Sequence, residues 1–102
     1  MSLAGGVPDL MRQKVLENLA LVYRRAGEHE RSLEVCLELM RCPEFSMVGY
    51  ECAAIYHERV SRNPEAALRI LEEGLTRAES KRWKTLLRAR WDRLQQKIIR
   101  YD

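Results

Sequence analysis

A short phrase occurs twice in this chain, Leu19-Ala20-Leu21-Val22-Tyr23 and Cys52-Ala53-Ala54-Ile55-Tyr56. Each copy ends in tyrosine. Each leads, after a polar break, into a second apolar stretch, Ser32 to Met40 and Ala66 to Leu75. A recurring helix–turn–helix unit cannot bury its apolar face alone, so it stacks on its own repeats. Stacked units bury their faces against one another and present a surface, which points to binding and away from catalysis.

The spacing of apolar residues predicts five helices and no strand. Leu10, Val15, Leu16, Leu19, Val22 and Tyr23 recur every three or four positions and form one stripe. Pro8 suits a first helical turn, and Gly27 follows Arg24 and Arg25 as a stop. A second helix carries Leu33, Val35, Cys36, Leu37, Leu39 and Met40 and ends before Pro43. The third starts between Glu44 and Met47, with Val48, Cys52, Ala53, Ile55, Tyr56 and Val60 as its stripe. Asn63-Pro64 pairs an N-cap with a first helical proline and opens the fourth. Ser80 caps a fifth, which carries Trp83, Leu86, Leu87, Trp91, Leu94, Ile98 and Ile99.

With 102 residues, residues 1–7 read as a flexible leader and 8–102 as a single helical domain. No apolar run approaches the roughly 20 residues that span a bilayer. Three cysteines, Cys36, Cys42 and Cys52, make no even framework, so a reducing cytoplasmic setting is expected. The net charge of +3 conceals an asymmetry. From Ser80 to Asp102 there are eight Lys/Arg against two Asp, whereas the remainder carries ten Lys/Arg against thirteen Asp/Glu. An acidic partner is therefore sought at the last helix.

These residues resemble the tetratricopeptide repeat, a 34-residue helix–turn–helix with Trp-x2-Leu-Gly-x2-Tyr in its first helix. Leu16, Leu19, Ala20 and Tyr23 stand at the Trp, Leu, Gly and Tyr positions of a first repeat. Gly27 falls at its turn, Ser32 at its next small position and Cys36 at its Phe. Cys52, Ala53 and Tyr56 match Leu, Gly and Tyr of a second repeat, in which Gly49 replaces Trp. Ala67, Leu71 and Gly74 fit its second helix if the turn is two residues longer. Trp83-x2-Leu86-Leu87 opens a third, with Arg90 at the Tyr position. The resemblance implies an all-α, right-handed α-α superhelix of about two and a half repeats closed by a C-terminal capping helix. It also implies that Tyr23 and Tyr56 hold helix pairs together. A narrower likeness runs through Ala54 to Arg59, Asn63 to Leu68, Trp83 and the basic tail. It is similar to the C-terminal helical module of some bacterial proteins that carry a ribonuclease H-like exonuclease domain. None of that domain's carboxylate motifs occurs here.

The resemblance also maps a concave, mildly basic groove onto the first helix of each unit: Lys14, Glu17, Leu21, Arg24, Tyr50, Ala54, His57, Lys81, Lys84 and Arg88. Tyr50 is expected there as an exposed aromatic. Such a groove suits an acidic extended peptide held by charge-assisted hydrogen bonds. The expected function is non-catalytic protein binding, with no cofactor and no metal. Self-association and nucleic-acid binding through the basic last helix are the alternatives, and no membrane partner is expected. Cys36, Cys42, Cys52 and His57 are separated by five, nine and four residues, none of them a Cys-x2-Cys pair. Cys36 and Cys52 fall at core positions, where cysteine behaves as a small hydrophobe. Cys52 and His57 lie about 140° apart around a helix, so they do not assemble as nucleophile and base. No phosphate-cradling loop and no strained serine turn is present.

Overall fold

The computed structural model describes residues 9–101. They form five helices: α1 (Asp9–Arg25), α2 (His29–Arg41), α3 (Met47–Arg59), α4 (Pro64–Arg77) and α5 (Lys81–Tyr101). No strand occurs among the described residues. The expected leader at 1–7 and the helix start at Pro8 lie outside them.

Local chemistry explains the boundaries. Gly27 takes a positive φ of 81°, which glycine reaches without steric cost, and ends α1. Ser46 caps α3 by accepting from the Gly49 amide, and Asn63 caps α4 by accepting from Ala66 with Pro64 next in line. α2 begins at His29, three residues before the apolar stretch that announced it, because Ser32 donates its amide back to the Glu28 carbonyl. Arg62 adopts φ 53° in the tight α3–α4 turn, a left-handed conformation uncommon for a non-glycine residue.

Packing follows chain order. α1 lies on α2, α2 on α3, α3 on α4 and α4 on α5, and α1 also reaches α3. The molecule is elongated and flat, 53 × 31 × 16 Å. Its core has two parts. One gathers Leu16, Ala20, Cys36, Leu39, Cys52 and Ala53 from α1, α2 and α3. The other gathers Met47, Ala54, Leu71, Leu87 and Leu94, with Ala67 and Ala78, from α3, α4 and α5. Ile70 packs against both. α3 is thus buried on opposite sides, which is why its apolar residues form no single stripe.

Two glycines set the spacing. A Cβ at Gly49 would sit 2.8 Å from the Leu39 Cβ, so α2 and α3 are as close as a missing side chain permits. A Cβ at Gly74 would meet Leu87 and the Tyr50 ring at 3.3 Å. Tyr50 fills the space that Gly74 leaves and stacks on Phe45 with ring centroids 5.4 Å apart.

Arg77, at the end of α4, ties this centre together. Its Nη1 donates to the Met40 carbonyl and to the Tyr50 hydroxyl, at 2.7 and 2.8 Å. Its Nη2 donates to the Cys42 and Pro43 carbonyls, at 2.7 and 3.2 Å. The last carbonyls of a helix have no partner within it. At the end of α2 the Glu38 carbonyl receives the Cys42 thiol, Leu39 the Cys42 amide, and Met40 the guanidinium. A cation at a helix C-terminus is also favoured by the helix dipole.

Arg77→Ala is expected to lower unfolding stability by about 3 kcal/mol, since bonds to a charged donor are worth about 1.5–3 kcal/mol each and not all are lost outright. Arg77→Lys recovers less than half, because an ammonium cannot span these carbonyls and the tyrosine hydroxyl together. Urea denaturation followed by circular dichroism measures both. Gly49→Ala is expected to destabilise by about 1–3 kcal/mol through overpacking. Gly74→Ala costs less, since a leucine tip and a ring edge yield more easily than a Cβ. Equal melting temperatures for the two glycine variants would contradict this ranking.

Candidate functional site

The structure redistributes the ten residues mapped to a groove. Tyr50 is the largest correction. It is 0% exposed, because the absence of side chains at Gly49 and Gly74 draws α3 inward. Its hydroxyl donates to Glu73 Oε2 at 2.8 Å while accepting from Arg77. Ala54 is 1% exposed and belongs to the α3–α4–α5 core, so it lines no groove either.

Four others are occupied by the fold. Glu17 accepts the Ser46 hydroxyl at 2.7 Å, placing a carboxylate at the N-terminus of α3, where the dipole favours it. Gln13 donates to the Phe45 carbonyl at 3.0 Å beside it, so α1 fixes the start of α3. Leu21 packs against the α1–α2–α3 core. Arg24 directs Nη1 to the Cys52 sulfur at 3.6 Å. His57 is half-buried, contacts the Ser61 hydroxyl at 3.0 Å and meets the Tyr56 ring edge-on. Burial pushes its imidazole below the ordinary 6.5.

Lys14 is exposed on α1. Lys81, Lys84 and Arg88 are exposed and do come together. With Leu75 of α4 and Thr85, Ala89 and Asp92 of α5 they line a shallow depression of about 530 Å³. Arg88 pairs with Asp92 at 3.4 Å and covers the Trp91 ring at 5.4 Å. Elsewhere on α5, Arg90 faces Glu51 at 3.7 Å and Lys97 faces Glu58 at 3.2 Å. Among the described residues no ion pair engages Lys81, Arg82 or Lys84. All three sit in the first turn of α5, which contains no acidic residue. Cations there oppose the helix dipole by about 0.3–1 kcal/mol each. Trp83 stands among them, 38% exposed, with its ring edge-on to Phe45 at 6.1 Å.

No family model, curated protein or solved structure matches this chain. No helix among the described residues is long and apolar enough to cross a membrane.

Among the described residues the cysteines and His57 do not gather into a metal-ligating cluster. Cys36 and Cys52 adjoin across α2 and α3, Cys42 bonds within its own helix, and His57 turns to Ser61. Cys36 and Cys52 are buried in the core positions expected for them. The Cys36 thiol is pushed up by its hydrogen bond to Cys52 and by burial. The Cys52 thiol is drawn down by the Cys36 hydrogen bond, with burial opposing and Arg24 assisting.

Sequence reasoning missed Arg77, Glu73 and the placement of Tyr50. The available signal was the pair of glycines inside helical stretches, Gly49 and Gly74, which cost helix stability and so mark a close approach.

Tyr50 yields a pH-dependent expectation. Burial lifts its hydroxyl above the ordinary 10.0, against the Arg77 hydrogen bond and with the help of Glu73. A folded value above the unfolded one means that the neutral hydroxyl stabilises fully below about pH 10, and that this contribution is lost as pH rises through the folded value. Ultraviolet titration of the four tyrosines should therefore show a phase that lags and coincides with loss of helicity. Tyr50→Phe should remove that phase; its persistence would assign it to another tyrosine.

Proposed function

We propose that this chain is a non-catalytic interaction module with tetratricopeptide-like stacking of helix pairs, and that it captures an acidic segment of a partner protein on α5. The observation that carries this reading is the depression lined by Lys81, Lys84 and Arg88 beside Leu75. Eight Lys/Arg against one Asp lie on residues 81–101, and the first-turn cations have no acidic partner among the described residues. An acidic ligand relieves both their mutual repulsion and their conflict with the helix dipole. Leu75 and Ala89 add apolar surface, which suits an acidic segment carrying a hydrophobic residue. Stacking in chain order, with α1 touching α3 as first helices of adjacent units do, supports the repeat reading. The binding surface differs from the mapped groove: only its α5 residues, Lys81, Lys84 and Arg88, line one exposed depression together.

The test is fluorescence anisotropy with a labelled peptide of alternating Glu and Leu. Lys84→Glu with Arg88→Glu should weaken capture at least about tenfold, a loss of roughly 1.4 kcal/mol. Rising salt should weaken wild-type capture, because the charges are exposed. Unchanged affinity in the double variant would sink the proposal.

One observation favours a second reading. Trp83 is exposed among Lys81, Arg82 and Lys84, an aromatic within a cationic patch of the kind on which nucleic-acid bases stack. A single-stranded oligonucleotide in the same assay decides it. Steep dependence of log affinity on log salt, with loss in Trp83→Ala, would support a nucleic-acid module. Undetectable binding at low salt removes it.

A further inference from the structure

α2 and α3 run antiparallel with Leu39 opposite Gly49, the point of closest approach. One helical turn away on each, the same register brings Cys36 opposite Cys52. The missing Cβ at Gly49, only 3.5 Å from the Cys36 carbonyl oxygen in projected contact, holds the backbones close there. Disulfides need Cα atoms about 4.4–6.8 Å apart, and close approach of two helix backbones at a glycine favours such a separation. Both thiols are free and buried in the same α1–α2–α3 core.

Their surroundings are unequal. Cys36 is enclosed by the α1–α2–α3 core and Ser32. Cys52, 3% exposed, faces the Arg24 guanidinium at 3.6 Å and lines a pocket of about 250 Å³ with Arg24, His29, Tyr56 and Arg59. A cation beside one sulfur stabilises its thiolate, and the pocket admits a molecule the size of water, which occupies about 30 Å³.

We infer that Cys36 and Cys52 are an oxidative modification site: a small peroxide converts them to a disulfide that staples α2 to α3, with Cys52 attacked first. The Cys52 thiolate displaces hydroxide from hydrogen peroxide, forming an S–O bond as the O–O bond breaks, and becomes a sulfenic acid. Cys36 loses its proton and attacks that sulfur. The S–S bond forms, the S–O bond breaks, and the departing hydroxide takes the proton as water. The two thiols give up two electrons, the peroxide is reduced to two waters, and a thiol reductant reverses the product. Arg24 neutralises the attacking thiolate, and Cys36 lies within reach to resolve the sulfenic acid before further oxidation. This site is independent of α5 and of any partner bound there.

The experiment treats the reduced full chain with one equivalent of hydrogen peroxide and reads intact mass and thiol alkylation. Wild type and Cys42→Ser should both lose two hydrogens, restored by dithiothreitol. In Cys36→Ser, dimedone should label Cys52; in Cys52→Ser, Cys36 should stay unlabelled. Arg24→Gln should slow the wild-type reaction at least threefold, with circular dichroism confirming an unchanged helix content. Disulfide formation that requires Cys42, labelling of Cys36 in place of Cys52, or an intact dithiol in wild type after treatment overturns the proposal. The wild-type and Cys42→Ser masses decide it even where a core variant fails to fold.

Discussion

The geometry of this molecule depends on one guanidinium. Arg77 stands at the end of α4 and closes the end of α2, whose carbonyls would otherwise face a half-buried surface without partners. The same group grips the Tyr50 hydroxyl, and Tyr50 occupies the volume released by Gly74. Three helices and the α2–α3 turn therefore share a single polar centre. Because hydrogen bonds have narrow geometry where apolar contacts tolerate sliding, this centre fixes the register in which α2, α3 and α4 pack.

Much of the local structure was legible in the residues. Gly27 and Asn63-Pro64 mark helix ends through backbone chemistry that acts over three or four residues, so tertiary context rarely overrides it. Periodicity located α1, α4 and α5 for the same reason. α3 was harder to place by face, since it is covered on opposite sides and its Met47, Cys52, Ala53 and Ala54 point into different cores.

The candidate site was only partly legible, and the failure has a physical cause. Mapping residues by repeat position assumes that each first helix sits at the same depth. Gly49 breaks that assumption by letting α3 sink against α2, which carries Tyr50 and Ala54 inward. Glu17 and Arg24 were assigned to ligands, yet they serve the Ser46 cap and the Cys52 sulfur. Long-range bonds of this kind leave no trace in spacing. Lys81, Lys84 and Arg88, by contrast, are exposed along one face of α5.

The division of the core in two has a kinetic consequence. The outer helices α1 and α5 belong to different clusters, and each can detach while the other cluster remains closed. α3 contributes to both, so its amides are released to solvent only when both clusters open. Hydrogen exchange should accordingly be slowest near Ala53 and Ala54 and quicken towards either end of the chain. A ligand on α5 would then slow exchange in its own half of the molecule and leave α1 breathing at its original rate.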